Sequence, residues 1–313
     1  MATPYDLLIV GELSVDIIVR CAGPPRFGQV EQVVEDIALC AGSSSAIAAA
    51  SAARMGLRVL FASRVGPDLF GRYMIDVLQE VGVDTMGVRT DPAVKTGVTI
   101  VLSRDQDRAM LTYPGSIAAV APDDVDPAWY GAARHLHAAS PFLLTGLRRS
   151  LPDMMHRARS AGMTVSLDTN WDPNERWDVA DLLAATDVFL PNANEACAIA
   201  GHDDLDAAID ALATRVPLVV VKCGADGAIA ASGAERFQAP AYPVPVVDTT
   251  GAGDTFDGGF IAAWLRGEPL ERCLQLGCAC AAGAVSQPGG MTGQPTWEEA
   301  MRTVMAHAGQ NER

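Results

Sequence analysis

One phrase recurs along this chain: a stretch of helical character, closed by a glycine and followed at once by a short apolar strand. Arg54-Met55-Gly56 leads into Val59-Leu60-Phe61, and Ser160-Ala161-Gly162 leads into Thr164-Val165-Ser166-Leu167, while Glu80-Val81-Gly82 ends a third helical stretch. Glycine closes a helix readily because it reaches positive φ with no side chain to clash. Further apolar strands read at residues 7–10, 188–190 and 218–221. Strands joined through helices run parallel, and a parallel sheet needs helices on both faces. The predicted fold class is therefore α/β, with a mostly parallel central sheet covered by helices.

Two regions break this rhythm. Residues 16–20 and 29–39 flank the turn Gly23-Pro24-Pro25 with no helix between them, and residues 96–103 and 108–113 read as a hairpin around Arg104-Asp105-Gln106-Asp107. Together, as segments 14–39 and 96–113 inserted in a single domain spanning residues 1–313, they predict a small separate β-layer. It serves either as a lid over a site or as a plain extension of the sheet.

Composition narrows the function. Lys and Arg total 23 against 38 Asp and Glu, a formal net charge of −15, so the surface repels a nucleic-acid backbone. A nucleotide remains admissible, since backbone N–H groups and a metal ion can hold its phosphates locally. Lysine occurs only at Lys95 and Lys222. The seven cysteines include no CxxC pair, and the reading is buried thiols in a reducing cytoplasm. No apolar run approaches a membrane span, so no membrane partner is expected.

The strongest chemical signal is Asp248-Thr249-Thr250-Gly251-Ala252-Gly253-Asp254-Thr255-Phe256. Residues 244–247 before it read as a strand, and a helix follows, with Phe256, Phe260 and Trp264 as its core stripe, ending near Gly267. Small residues at a strand-to-helix turn let the backbone close on a ligand, and the first N–H groups of the helix form an anion pocket at its positive dipole end. Asp254 lies in that first turn, where the dipole favours the carboxylate and leaves it available as a base. A Walker A loop needs Gly-Lys-Ser/Thr, and neither lysine follows a glycine. A dinucleotide fingerprint needs a glycine where Phe256 stands.

Other strand ends carry polar residues, as the ligand-binding ends of open α/β sheets do. Asn192 and Glu195 follow the strand at 188–190; their carboxylate and amide oxygens suit a hydrated hard cation, or Glu195 simply caps the next helix. Asp168-Thr169-Asn170 closes another strand, and Asp16 follows the first, as a substrate ligand or as a polar turn residue. Lys222-Cys223-Gly224-Ala225-Asp226-Gly227 reads as a hairpin turn or as a wall of a nucleotide pocket. His135 and His137 share one face of a strand, and with too few companions for a metal they read as structural.

These motifs resemble the PfkB/ribokinase-type carbohydrate kinases over nearly the whole chain. The resemblance implies a three-layer ribokinase-like fold with the small β-layer as a lid, which in that family also forms a homodimer interface. It implies Asp254 as the base, the N–H groups of Gly251, Ala252 and Gly253 as an anion hole, and ATP and Mg²⁺ as cofactors. Asn192 and Glu195 match the family's Asn-x-x-Glu motif, which acts on Mg²⁺ through water. Asn192, Lys222, Gly224, Gly227 and Gly253 fall at nucleotide-binding positions, and Asp248 and Thr250 where many relatives bind a monovalent cation such as K⁺. Asp16, Gly42, Ser43, Ala46 and Asp168 fall at substrate positions. The N-terminal signature departs from the family: in Ala41-Gly42-Ser43-Ser44-Ser45-Ala46, alanine stands for the first glycine and again for the sugar-binding asparagine.

The expected reaction is phosphoryl transfer from ATP to a hydroxyl of a sugar or sugar-like molecule. Within the family the alternatives are a nucleoside kinase or, if Arg20, Arg104 and Arg108 reach the substrate, a phosphosugar or sugar-acid kinase. A silent metabolite-binding protein on the same fold is the alternative from another class, and the intact Asp254 turn argues against it.

Overall fold

The computed structural model describes residues 3–104 and 107–311. Thirteen strands are found among them: β1 Leu7–Val10, β2 Ser14–Arg20, β3 Asp36–Ala41, β4 Val59–Val65, β5 Asp84–Thr90, β6 Gly97–Arg104, β7 Asp107–Tyr113, β8 His135–Ala139, β9 Thr164–Asp168, β10 Val188–Phe189, β11 Leu218–Lys222, β12 Ala228–Ser232 and β13 Glu235–Ala239. Nine of them form one sheet in the order β13-β12-β11-β10-β9-β8-β1-β4-β5. It is parallel from β5 through β11, and β12 and β13 complete it as an antiparallel edge.

Side-chain alternation splits the core into two layers, one on each face of this sheet. Leu7, Ile9, Phe61 and Val220 join one apolar cluster with the helices Ser44–Arg54, Ala252–Leu265 and Leu270–Val285. Their neighbours Leu8, Val10, Leu60 and Val219 join the other, with the helices Leu151–Ser160 and Leu205–Ala213. The result is the three-layer fold expected. The helix-closing glycines Gly56, Gly82 and Gly162 adopt φ of +85°, +85° and +88°, two residues beyond the helix ends at Arg54, Glu80 and Ser160. Across the first layer, the Ser44–Arg54 and Ala252–Leu265 helices touch so closely that a Cβ on Gly258 would lie 2.5 Å from Cβ of Ser51.

The second sheet runs β3-β2-β6-β7, with β2 and β6 parallel and the outer pairs antiparallel. It is the small β-layer expected, although β3 begins only at Asp36, leaving residues 29–35 irregular. Two residues of the expected hairpin turn, 105 and 106, lie outside the described residues. A second expectation fails: residues 244–247 are not a strand. Pro243 and Pro245 remove the N–H groups that a ladder would need, and Val246 and Val247 are left exposed.

Candidate active site

The turn into the Ala252–Leu265 helix is held by Gly251, which caps it at φ +69°, a left-handed conformation. A side chain there would also lie 2.8 Å from Cδ1 of Ile47 and 3.0 Å from Cα of Gly290. The turn separates two cavities. One, of about 510 Å³, is mostly apolar and is lined by Lys222, Gly224, Gly227, Tyr242, Val246, Ala252, Gly253, Phe256 and Cys278, among others. The other, of about 240 Å³, lies under the small sheet and is lined by Glu12, Ser14, Asp16, Ser43, Ser44, Ile47, Thr99, Thr112, Ser140, Thr250, Gly251 and Asp254, with several apolar residues. Alternation along the small sheet directs Thr99, Val101, Met110 and Thr112 toward this cavity, and places Ile100, Leu111 and Tyr113, all exposed, on the opposite, outer face.

Asp254 is buried, and its Oδ1 accepts a hydrogen bond from Asn170 Nδ2 at 3.2 Å. Burial, reinforced by the charge of Asp168 and of Glu12, raises its pKa from the ordinary 3.8 to about 6, against the pull of Lys222 and the Asn170 amide. The helix dipole was expected to keep this carboxylate acidic; desolvation outweighs it. Asp168, expected to touch substrate, is buried with a carboxylate oxygen within 4.8 Å of Asp254, and it pairs with Lys222 Nζ at 2.7 Å. Lys222 also pairs with Asp257 at 3.0 Å, so its ammonium is engaged by carboxylates even though the side chain borders the larger cavity. Burial alone would lower the Lys222 pKa, but Asp168 and Asp257 hold it well above its ordinary value. Between those two carboxyls, Lys222 holds Asp168 low, and burial pushes Asp257 high.

Asn192 and Glu195 form a reciprocal cap on the Ala193–Ala200 helix, with Glu195 N–H donating to Asn192 Oδ1 and Asn192 N–H donating to Glu195 Oε2, both at 2.9 Å. The capping role considered for Glu195 is thus present. Glu195 is also buried, and desolvation together with the charges of Asp168 and Asp254 lifts it to about 7. The segment 222–227 is the hairpin connection expected, joining the antiparallel pair β11–β12, and Lys222, Gly224, Ala225 and Gly227 in it also line the larger cavity. Asp248 accepts from the N–H groups of Thr250 and Gly289 at 2.9 and 3.0 Å. His135 bonds Thr164 and Ser166, and His137 bonds Ser166, inside the core. Phe256 and Phe260 stack in the core stripe, yet Phe256 also borders the larger cavity.

The model for the "pfkB family carbohydrate kinase" matches residues 5–297. The chain belongs to that family. Among curated relatives, this pfkB-family kinase is 32% identical to an ATP-dependent ribose-1-phosphate kinase of Halopiger xanaduensis, over 88% of this chain and 90% of that one. It is also 32% identical to a fructokinase of Klebsiella pneumoniae, over 95% and 98%. Among solved structures it is similar to a putative ribokinase II from E. coli in complex with ATP and Mg²⁺, with a TM-score of 0.86 and 25% identity over 97% of this chain and all of that one. A ribokinase of Arabidopsis thaliana complexed with ribose and ATP gives a TM-score of 0.84 at 25% identity, over 97% and 99%.

At the N-terminal signature of this pfkB-family chain, Gly42 has a structural reason: a Cβ there would lie 2.4 Å from the Asp16 carboxylate. Ser43 caps the Ser44–Arg54 helix by accepting from Ala46 N–H at 3.2 Å, while Ala46 itself is fully buried beside the cavity-lining Ser43, Ser44 and Ile47. Sequence reasoning missed Glu12 and Ser140. Glu12 is buried and accepts from Ser45 Oγ at 2.6 Å and from Ser140 Oγ at 3.2 Å. Its signal was available, because it follows β1 as directly as Asn170 follows β9.

Proposed function

We propose that this kinase transfers the γ-phosphoryl group of ATP to a hydroxyl of a neutral, polyhydroxylated acceptor such as a sugar. The observation that carries this reading is the shared wall: Gly251 and Asp254 border the smaller cavity, and Ala252 and Gly253 between them border the larger. A hydroxyl in the smaller cavity faces Asp254 as its proton acceptor. A phosphate arriving from the larger one meets the N–H groups of residues 251–253. The acceptor oxygen forms a bond to the γ-phosphorus as the bond to the ADP oxygen breaks, and the proton passes to Asp254. A base with a pKa near 6 suits this task, being ionised at neutral pH yet more basic than an ordinary aspartate.

The larger, apolar cavity suits the nucleotide. Asn192 and Glu195 would hold a hydrated Mg²⁺ through its water, with Asn192 Oδ1 and Glu195 Oε2 engaged in the cap and the second Glu195 oxygen outside it. Burial, with the charges of Asp168 and Asp254 behind it, lifts Glu195 to about 7, and a nearby cation would favour its ionised form. When bound, Mg²⁺ neutralises phosphate charge. Asp248 and Thr250 are the corresponding proposal for K⁺.

The polarity of the smaller cavity favours a neutral acceptor. Glu12, Asp16 and Asp254 border it with several hydroxyls, and no lysine or arginine does among the residues whose side chains are described, which do not include Arg108. Arg20 and Arg104 are exposed, and Arg104 borders a separate cleft with Gly23 and Pro24. An ADP-release screen with Mg-ATP against neutral sugars, nucleosides, sugar acids and phosphosugars tests this. Turnover confined to anionic acceptors refutes the neutral class, and turnover confined to nucleosides makes the enzyme a nucleoside kinase. The small sheet is the proposed lid, and its exposed Ile37, Leu39, Ile100, Leu111 and Tyr113 support a homodimer through that face. Sedimentation of Leu111→Glu against wild type tests it, with a monomer expected for the variant alone.

A further inference from the structure

Asp168, Asp254 and Asp257 each bring a carboxylate oxygen within 4.8 Å of the others, all buried, an arrangement that in other settings would hold a metal ion. Here the chain supplies its own cation. Lys222 Nζ lies 2.7 Å from Asp168 and 3.0 and 3.1 Å from the two oxygens of Asp257. Buried carboxylates at such separations cannot all ionise without a fixed positive charge among them. The same ammonium lies 3.5 Å from where a Cβ on Gly253 would stand, directly beneath the anion-binding turn.

We propose that Lys222 is a positioning residue for phosphoryl transfer: clamped by Asp168 and Asp257, its ammonium is the counter-charge that keeps Asp254 able to accept the acceptor's proton. The proposal rests on Asp254 being the base and goes beyond it, because it assigns Lys222 to the base and not to the nucleotide. The charged and titratable groups around Asp254 are Glu12 after β1, Asp16 on β2, Asp168 on β9, Glu195 on the Ala193–Ala200 helix and Asp257 on its own helix. His137 on β8 is held neutral, burial lowering it to about 4. Lys222 is the one cation in this set of described residues, and it acts on Asp254 against Asp168 and Glu12.

The test is a titration of the Asp254 carboxyl ¹³C resonance in the free protein, assigned by its loss in Asp254→Asn. Wild type should titrate near 6. Lys222→Met should raise the midpoint by about one pH unit or more, the effect of losing a close opposite charge. An unmoved midpoint in folded Lys222→Met overturns the proposal. If that variant does not fold, Asp168→Asn is compared with Asp168→Asn/Lys222→Met, which removes one charge of each sign. Asp168→Asn should titrate below wild type, and the double variant above Asp168→Asn. Equal midpoints in these two overturn the proposal. Steady-state activity of Asp254→Asn is measured beside them: a near-normal kcat there sinks the base assignment itself, whereas a dead Asp254→Asn with an unmoved Lys222→Met midpoint sinks only the role of Lys222.

Discussion

Replacing Asp254 with asparagine separates what this residue does for chemistry from what it costs the fold. Asparagine keeps the size and an oxygen for the Asn170 amide, which stands 3.2 Å away, but it cannot take a proton. We expect kcat to fall by a factor on the order of 10² or more, the scale of general-base loss. The same change should stabilise the folded protein. Asp254 rises from 3.8 to about 6 on folding, and at about 1.4 kcal/mol per pH unit the buried carboxylate costs about 3 kcal/mol when ionised. Because the folded value lies above the unfolded one, this cost is absent below about pH 4, where both states are protonated. It grows between about pH 4 and 6 and is complete above. Asp254→Asn should therefore gain up to about 3 kcal/mol over wild type at pH 8, and about half of that at pH 5. Urea unfolding of both proteins at the two pH values, beside steady-state kinetics, measures each half of the claim. A near-normal kcat in the folded variant, or a stability difference indifferent to pH, would refute the reasoning.

Three further substitutions probe the surrounding wall. Glu195→Gln preserves an acceptor for the Asn192 N–H, so the variant should stay folded while its activity needs more Mg²⁺; an unchanged Mg²⁺ titration would leave Glu195 with its capping role alone. Gly251→Ala should cost about 1–2 kcal/mol for the left-handed conformation alone, with a further loss from contact with Ile47 and Gly290 and a lowered kcat; thermal melts and kinetics at wild-type levels would show that the turn tolerates a side chain. Ala46→Asn places an amide at a fully buried position beside Ser43 and Ile47, and should shift the ranking of acceptors by kcat/KM by about 1–3 kcal/mol; a constant ranking in the folded variant would show that position 46 does not reach the acceptor.

The layered sheet is legible in the amino-acid order alone, because glycine-closed helices feeding short apolar strands leave a chain few alternatives to parallel pairing with helices on both faces. So is the turn at residues 248–256, where small residues, a helix start and an aspartate stand together in the chain. The interruption by Pro243 and Pro245 was equally legible, and reading residues 244–247 as a strand gave their β-branched side chains more weight than the missing N–H groups. The charge state of the site, by contrast, arises only in the assembled fold. Glu12, Asp168, Glu195, Lys222 and Asp257 come from different parts of the chain, and neither their separations nor their burial can be read from local spacing. The helix dipole beside Asp254 is a local property and visible in sequence; the desolvation and carboxylate repulsion that overrule it belong to the assembled fold, because they depend on which strand ends close over the same point.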